Sequence, residues 1–317
     1  MKGSSRLVWI KINYKEEMGI YLSSPDMTKH PQDGENPVMR YGVSAMQGWR
    51  MSMEDSHITN LDFAPGMALF AVFDGHGGSE VAKFCSDYFG KELLKNSAFQ
   101  EGDYKLALEQ TFVNLDIILL TPETGIQLLR DYKEDQTMDT SMAGCTANVV
   151  LIVENRIFVA NAGDSRCISY TKDNKVLALS VDHKPEDEIE MKRIVKAGGY
   201  VSGGRVNDNL NLSRAIGDLE YKKNTDLGPE EQIISVFPDV VEREIDGDQF
   251  LVIGCDGIWE TKTAEEICEV AKNRLDEDPT GKISDTVGEL LDMLIAKETI
   301  DGLGCDNMSA IILQFKK

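Results

Sequence analysis

The order of helix-like and strand-like segments constrains the fold of this chain more than any other feature. Helical patterns come in two consecutive pairs, at residues 79–95 and 104–120 and again at 264–275 and 282–297. Strand-like runs otherwise cluster between residues 146 and 255, so the strict strand–helix alternation of a doubly wound sheet is absent. This order predicts an α+β fold with mainly antiparallel sheets and helix pairs packed outside them.

The individual segments are recognised by the spacing of their apolar residues. Val81, Phe84 and Phe89 recur at helical spacing, and Thr263 with Glu266 forms a capping-box pattern. Continuous apolar runs predict five buried strands, at Met67–Phe73, Thr146–Val153, Arg156–Ala160, Phe250–Cys255 and Met308–Phe315. Polar composition predicts a lead-in loop over 24–38 and a surface loop over 121–144.

Composition narrows the class of protein. The chain has 317 residues, of which 42% are hydrophobic, and this excludes disorder as its overall state. It carries 54 acidic and 33 basic side chains, a formal net charge of −21. Non-specific binding to nucleic acid or to anionic membranes needs a basic surface, so we expect neither. The sequence contains no run of about 18 apolar residues, so no transmembrane segment is predicted.

The cysteines and histidines indicate which metals the chain would bind. No two of the six cysteines are spaced C-x-x-C, so a zinc cage is not expected. A reducing compartment is predicted instead of a disulfide framework. With only four histidines, carboxylates are the main candidate ligands, and they favour hard cations such as Mg²⁺ or Mn²⁺.

Three aspartates stand at the ends of apolar runs. Asp74 follows the first predicted strand, Asp256 follows the fourth, and Asp306 precedes the last. A carboxylate at the tip of a buried strand is costly unless a positive charge meets it. Any one Asp-Gly pair is most simply a tight turn. Three converging tips would repel one another, so together they favour a metal cluster.

Short motifs occur over most of the chain, about residues 41–314: Gly48–His57 (GWRMSMEDSH), Val72–Gly78 (VFDGHGG), Gly144–Ala147 (GCTA), Ala160–Arg166 (ANAGDSR), Asp182–Pro185 (DHKP), Ala197–Gly199 (AGG), Leu212–Asp218 (LSRAIGD), Pro238–Val240 (PDV), Cys255–Trp259 (CDGIW) and Asp306–Ser309 (DNMS). In sequence and in order, these motifs closely resemble those of the metal-dependent protein serine/threonine phosphatases of type 2C. The resemblance implies an α-β-β-α sandwich with a dinuclear metal centre at one end.

The resemblance also implies a set of metal ligands. Asp74 would bridge two Mg²⁺ or Mn²⁺ ions. Glu54 and the carbonyl of Gly75 would complete one of them. Asp256 and Asp306 would complete the other. Asp164 resembles a ligand of a third, weaker ion, and a turn carboxylate is an equal alternative for it.

Further roles follow from the same resemblance. Arg50 would clamp the substrate phosphate with its planar fork, although such an arginine on its own is more simply a surface ion pair. His76 would be the general acid that protonates the leaving oxygen. Asp55, His57 and Asn307 are expected to lie behind the metal ligands. A purely structural role is the alternative for His57. Asn307 would orient either a loop or a water held by a metal. The segment 184–212 resembles a flap beside the active site.

The function implied is hydrolysis of phosphoserine and phosphothreonine in proteins, by a water that is held between the metals and attacks phosphorus in line. Two alternatives stay open at this point: a catalytically inactive binding module of the same fold, and a two-metal phosphodiesterase. The expected partners are phosphorylated proteins, and a monomer is expected. The predicted organisation is an N-terminal extension over 1–39 and a catalytic domain over 40–317.

The N-terminal segment bears on location. The segment Met18–Ser23 fits a myristoylation pattern, which requires Met18 to be the first residue so that Gly19 is exposed for acylation. Membrane association is expected only in that case. Otherwise a cytoplasmic or nuclear location is predicted.

Overall fold

The computed structural model of the protein describes residues 21–121, 124–132 and 142–316. Its strands, in chain order, are β1 Tyr21–Lys29, β2 Gln32–Glu35, β3 Met39–Arg50, β4 Ser56–Ala64, β5 Met67–Phe73, β6 Gly75–His76, β7 Gly144–Cys145, β8 Ala147–Val153, β9 Arg156–Ala162, β10 Arg166–Thr171, β11 Val176–Ala178, β12 Val201–Ser202, β13 Arg205–Val206, β14 Ile216–Gly217, β15 Asp239–Glu244, β16 Asp248–Gly254 and β17 Met308–Phe315. Its α-helices are α1 Glu80–Lys95, α2 Ser97–Glu101, α3 Tyr104–Leu120, α4 Thr124–Asp131, α5 Glu188–Lys196, α6 Asp256–Trp259, α7 Ala264–Glu277 and α8 Ile283–Leu294.

Two antiparallel sheets form the centre of the molecule. The first has the strand order β1-β3-β17-β16-β10-β11, with β2 also paired to β3. The second has the order β15-β9-β8-β5-β4. The last strand, β17, lies in the middle of the first sheet, where Ile311 pairs with Val43 of β3 on one side and with Ile253 of β16 on the other.

The sheets pack face to face, and helices cover their outer faces. Strand β8 shows why its apolar run is continuous, because both of its faces are buried. Val150 and Ile152 face the core that the two sheets share, whereas Val149 and Leu151 face the core under α1 and α3. Helices α7 and α8 pack on the first sheet. The α-β-β-α sandwich is therefore confirmed.

The helix ends follow local sequence signals. The predicted capping box opens α7: Glu266 N donates to Thr263 Oγ1 at 3.2 Å, and Thr263 N donates to Glu266 Oε2 at 2.9 Å. These two bonds satisfy backbone groups that the first helical turn leaves without partners. None of the helices in the described ranges is long and apolar enough to cross a membrane.

The lead-in region is not the loop that composition predicts. Strands β1 and β2 occupy much of residues 24–38, and both pair with β3 of the first sheet. The loop prediction is wrong over these strands. Their side chains are mostly exposed, so they lack the apolar alternation that marks a strand, and the backbone of β3 determines their conformation. The described part of the predicted 1–39 extension thus belongs to the first sheet.

The prediction of a surface loop over 121–144 is wrong at α4. This short helix buries Leu129 in the core that lies under α1 and α3. Eight residues are too few for a clear helical period, so tertiary packing decides the conformation there. Residues 122–123 and 133–141 lie outside the described ranges, as do Met18 and Gly19 of the myristoylation pattern.

Candidate active site and metal centre

A cavity of about 330 Å³ opens at the edge of the sandwich where β5 and β16 end and β17 begins. Strands from both sheets therefore contribute to its walls. It is lined by nine of the residues that the sequence singles out: Arg50, Glu54, Asp74, Gly75, His76, Asp164, Asp256, Asp306 and Asn307. Asp55 is buried and does not line it, and His57 lies on β4 opposite Val72.

One group of carboxylates comes from the first sheet. Asp256 begins α6, and Asp306 immediately precedes Asn307 and β17. Together with Glu260 they offer oxygens that all lie within 4.8 Å of one another. Burial, and then the charges of Asp164 and Asp306, raise the pKa of Asp256 well above its usual range. Such a cluster of hard oxygen donors fits a divalent cation of the Mg²⁺ type.

A second group lies around Asp74, at the end of β5. Ligand atoms of Asp74, Asp55 and Cys255 lie within 4.8 Å of one another. Burial and the neighbouring charge of Asp256 raise the pKa of Asp74, and burial raises the pKa of Asp55 to about 7. Burial also raises the pKa of the Cys255 thiol, which makes this sulfur a poor metal ligand. Of the two carboxylates in this group, Asp74 lines the cavity and Asp55 lies buried behind it.

The segment between β3 and β4 is held against the cavity by Asn307. Its Oδ1 accepts a hydrogen bond from Glu54 N at 2.9 Å, and its Nδ2 donates to Gln47 O at 2.8 Å and to Ser52 O at 3.0 Å. The Glu54 side chain accepts from Ser52 Oγ and from Gly78 N. These bonds fit the loop-orienting role, one of the two predicted for Asn307.

Gly75 permits a close approach that another residue would block. A Cβ at this position would lie 2.4 Å from the carbonyl oxygen of Glu54. On the other side, the carbonyl of Asp74 accepts a hydrogen bond from Thr146 N at 2.9 Å. The absence of a side chain thus brings the backbones of two predicted ligands, Glu54 and Gly75, into contact.

Two basic side chains pair with acids of the cavity. Arg50 Nη2 lies 2.5 Å from Asp306 Oδ2, and the Arg50 side chain is 44% exposed. Lys184 Nζ forms an ion pair with the buried carboxylate of Asp164. The predicted phosphate clamp and the predicted third ligand therefore both have a partner within the chain.

His76 faces an acid that the sequence does not connect with it. Its Nε2 lies 2.8 Å from Oδ2 of Asp218, which is fully buried. Burial alone would lower the pKa of His76, but the carboxylate of Asp218 outweighs this effect and the pKa is raised. By contrast, burial lowers the pKa of His57. His57 does not line the cavity, whereas most of the other predicted site residues do.

Sequence reasoning missed Glu260 and named Asp218 only as the end of the motif Leu212–Asp218, without a role in the site. A signal for Glu260 exists, because Asp256 and Glu260 are four residues apart and hence on one face of a helical turn. No such signal exists for Asp218, whose contact with His76 arises only in the folded chain.

The flap-like segment borders the cavity through Asn211 and Leu212. Helix α5 buries Ile194 in a small separate cluster with Val206 and Leu212. Met191 is exposed on the same helix. The segment therefore has a core of its own beside the site.

A sandwich of this kind, with a carboxylate-lined cavity beside an arginine and a histidine, matches the arrangement that the sequence resemblance implies for a metal-dependent phosphatase. The sequence model of the family described as "Protein phosphatase 2C" matches residues 39–302. "Probable protein phosphatase 2C 6" of Paramecium tetraurelia is 49% identical over 300 residues, which cover 94% of this chain and 100% of the relative. "Probable protein phosphatase 2C 21" of Arabidopsis thaliana is 39% identical, covering 95% of this chain and 93% of the relative.

Solved structures show the same fold. A serine-threonine phosphatase 2C from Toxoplasma gondii superposes with a TM-score of 0.72 at 22% identity, covering 94% of this chain and 99% of that one. The chain belongs to the protein phosphatase 2C family, and it is a metal-dependent protein serine/threonine phosphatase. The presence of the predicted metal acids Glu54, Asp74, Asp256 and Asp306 at the cavity argues against an inactive module, and the family match argues against a phosphodiesterase.

Proposed function

We propose that the cavity hydrolyses phosphoserine and phosphothreonine in proteins with two Mg²⁺ or Mn²⁺ ions. One observation supports this most directly: carboxylates from both sheets converge on one small cavity, and burial and mutual repulsion raise the pKa values of Asp74 and Asp256. Divalent cations at this position would relieve that repulsion.

The predicted donors would divide between two ions. Asp74, Glu54 and the carbonyl of Gly75 would hold one ion, and Asp256 and Asp306 the other, with Asp74 shared. Glu260 lies within the second group and adds a donor that the sequence did not predict. When bound, such ions stabilise charge on phosphate oxygens and lower the pKa of water.

Arg50 is suited to bind the phosphate of the substrate. Its side chain is 44% exposed, and its Nη2 is bonded to Asp306. A phosphate dianion presents two oxygens to a planar fork and would compete for this donor. We infer that Arg50 exchanges Asp306 for the phosphate when substrate binds, while Asp306 turns toward the cation.

His76 is suited to donate a proton to the serine or threonine oxygen as it leaves. An alkoxide is a poor leaving group, so protonation by a positioned acid matters most for these substrates. His76 lines the cavity beside Asp74 and Gly75, which supports this role. Its Nε2 contacts the buried carboxylate of Asp218.

A third ion at Asp164 would have to displace Lys184, whose ammonium already neutralises this carboxylate. We therefore propose that the resting protein holds two ions and keeps the ion pair between Lys184 and Asp164. Residence in the cytoplasm or nucleus and a monomeric state stay predictions from the sequence.

The test is a metal-titrated phosphatase assay on a phosphothreonine peptide. We expect turnover with Mn²⁺ or Mg²⁺, none with EDTA, and a loss of at least about 100-fold in Asp256→Asn, with Mn²⁺ affinity lowered in calorimetry. Asp173→Asn is a matched control, because Asp173 is exposed in the β10–β11 turn. Activity that persists in EDTA, or that survives in Asp256→Asn, would refute the proposal.

A further inference from the structure

Asp218 adopts a backbone conformation that is unusual for a buried residue. It lies between β14 and a 3₁₀ turn at Leu219–Tyr221, with φ of 51° in the left-handed region. Few residues other than glycine, asparagine and aspartate adopt this region. Asp218 is nevertheless 0% exposed. A turn of the chain alone does not explain why a fully buried acid occupies this position.

Local structure does not use its carboxylate. Asp218 precedes the 3₁₀ turn, but its side chain makes no capping hydrogen bond to that turn in the described part of the chain. Oδ2 is 2.8 Å from His76 Nε2, and Oδ1 has no hydrogen-bond partner among residues 21–121, 124–132 and 142–316. The carboxylate is therefore directed at the imidazole of His76.

The surroundings are built to allow this contact. A Cβ at Gly144 would lie 2.5 Å from Oδ2 of Asp218 and 2.7 Å from Nε2 of His76, so only glycine leaves room for both. Asp218 N also donates to Ala143 O at 2.9 Å. The β7 segment thus packs directly against Asp218 and His76.

A buried ion pair holds the turn from behind. Asp116 on α3 accepts a hydrogen bond from Gly217 N at 2.8 Å through Oδ1, and its Oδ2 pairs with Lys222 Nζ. Lys222 also donates to Ala215 O at 2.7 Å. The backbone on both sides of Asp218 is therefore fixed by groups that have no contact with the cavity.

We propose that Asp218 is a positioning residue for His76: by binding Nε2, it fixes the imidazole ring so that Nδ1 is the nitrogen that serves the leaving group. This inference rests on the proposed function, in which His76 is the proton donor. The proton on Nδ1 passes to the leaving oxygen, and the Nε2 proton stays in the bond to Asp218. A carboxylate that orients an imidazole in this way acts only through the histidine.

Asp218→Asn is the informative variant. Asparagine tolerates the left-handed region, so the turn is retained while the charge is lost. We expect kcat for a phosphothreonine peptide to fall about 10- to 100-fold with KM nearly unchanged. With p-nitrophenyl phosphate, whose leaving group needs no acid, kcat should stay within about 3-fold. Glu154→Gln is the matched control, an exposed acid with φ of 52° at the far end of the sandwich.

The double variant His76→Ala with Asp218→Asn separates positioning from stability. We expect it to be no slower than His76→Ala alone, because Asp218 acts only through His76. Thermal melts and Mn²⁺ calorimetry check that Asp218→Asn keeps its fold and its metals. Equal losses on both substrates, a further loss in the double variant, or unchanged turnover of the peptide would each overturn the inference.

A direct readout distinguishes this inference from the proposed function. In ¹⁵N spectra of the imidazoles at fixed pH, Asp218→Asn should shift the ring-nitrogen signals of His76 and leave those of His57 in place. If the wild-type protein fails to hydrolyse the peptide, the proposed function fails, and these spectra still judge the contact. Unshifted His76 signals would overturn the positioning role even in an active enzyme.

Discussion

The ion-pair network under the flap leads to a quantitative prediction for Glu190→Gln. The Glu190 side chain on α5 is 3% exposed. Its Oε1 accepts a hydrogen bond from Arg214 Nη2 at 2.6 Å, and its Oε2 accepts from Ser213 Oγ at 2.7 Å and from Arg193 Nη1. The network joins the flap helix to the segment that leads into β14. We expect the substitution to destabilise the protein through this junction.

The magnitude follows from the pKa of Glu190. Burial alone would raise it, but the hydrogen bond from Arg214 and the charges of Arg193 and Arg214 lower it from 4.5 to about 2. The folded-state pKa therefore lies about 2.5 pH units below the unfolded value. Each pH unit is worth about 1.36 kcal/mol, so this difference corresponds to about 3 kcal/mol of stability at pH 7. This is a large share of the free energy of unfolding of a typical domain.

The sign determines how this stability depends on pH. A lowered folded pKa gives stability that is fully present above pH 4.5 and is lost as pH falls from there through about 2. The difference between the wild-type protein and Glu190→Gln should therefore be about 3 kcal/mol at pH 7 and shrink to about 2 kcal/mol at pH 3.5. Glutamine does not titrate, so the change comes from the wild-type protein alone.

Urea denaturation at a series of pH values between 7 and 3.5, followed by circular dichroism, measures this difference. Glu188→Gln is the control, since its side chain is 77% exposed on the same helix and its loss should cost less than about 0.5 kcal/mol. A difference that stays constant across the pH range, or one below about 1 kcal/mol at pH 7, would refute the reasoning.

Three further predictions concern other parts of the fold. Asp116→Asn leaves the ammonium of Lys222 buried without its partner and should lower the free energy of unfolding by about 3–5 kcal/mol; recovery of at least half of that in Asp116→Asn with Lys222→Met, by urea denaturation, would attribute the loss to the unpaired charge. Gly75→Ala should abolish phosphatase activity and weaken Mn²⁺ binding at least about 10-fold in calorimetry, since its Cβ would press on the backbone of Glu54; wild-type affinity would contradict this. Thr263→Ala removes half of the capping box of α7 and should cost about 1 kcal/mol in urea denaturation, with Thr263→Ser close to wild type.

The main layers of the fold could be predicted because their sequences carry strong apolar periods. The five predicted strands all occur, and both helix pairs are present. The period fails for β1, because an edge strand with exposed side chains has no buried face to mark it. It also fails for the short helix α4. In both cases the neighbouring elements supply the information that the segment itself lacks.

The site residues likewise divide into those that the sequence reveals and those whose contacts arise only in the folded chain. Asp74, Asp256 and Asp306 were predictable because a charge at the tip of an apolar strand is conspicuous in a sequence. The pairing of Arg50 with Asp306 joins residues far apart along the chain, and the contact of Asp218 with His76 does likewise. Such contacts depend on how the sheets meet, and a single sequence without its fold contains no local sign of them.

The central place of β17 sets the order in which this enzyme can become active during its synthesis. A ribosome delivers β3 and β16 long before β17, so until residue 315 has emerged the first sheet lacks the strand that joins its two halves. Asp306 arrives with that strand. The nascent chain therefore has two unpaired strand edges and an incomplete set of carboxylates until β17 has emerged. Premature termination before β17 would yield an aggregation-prone chain and not a phosphatase of reduced activity.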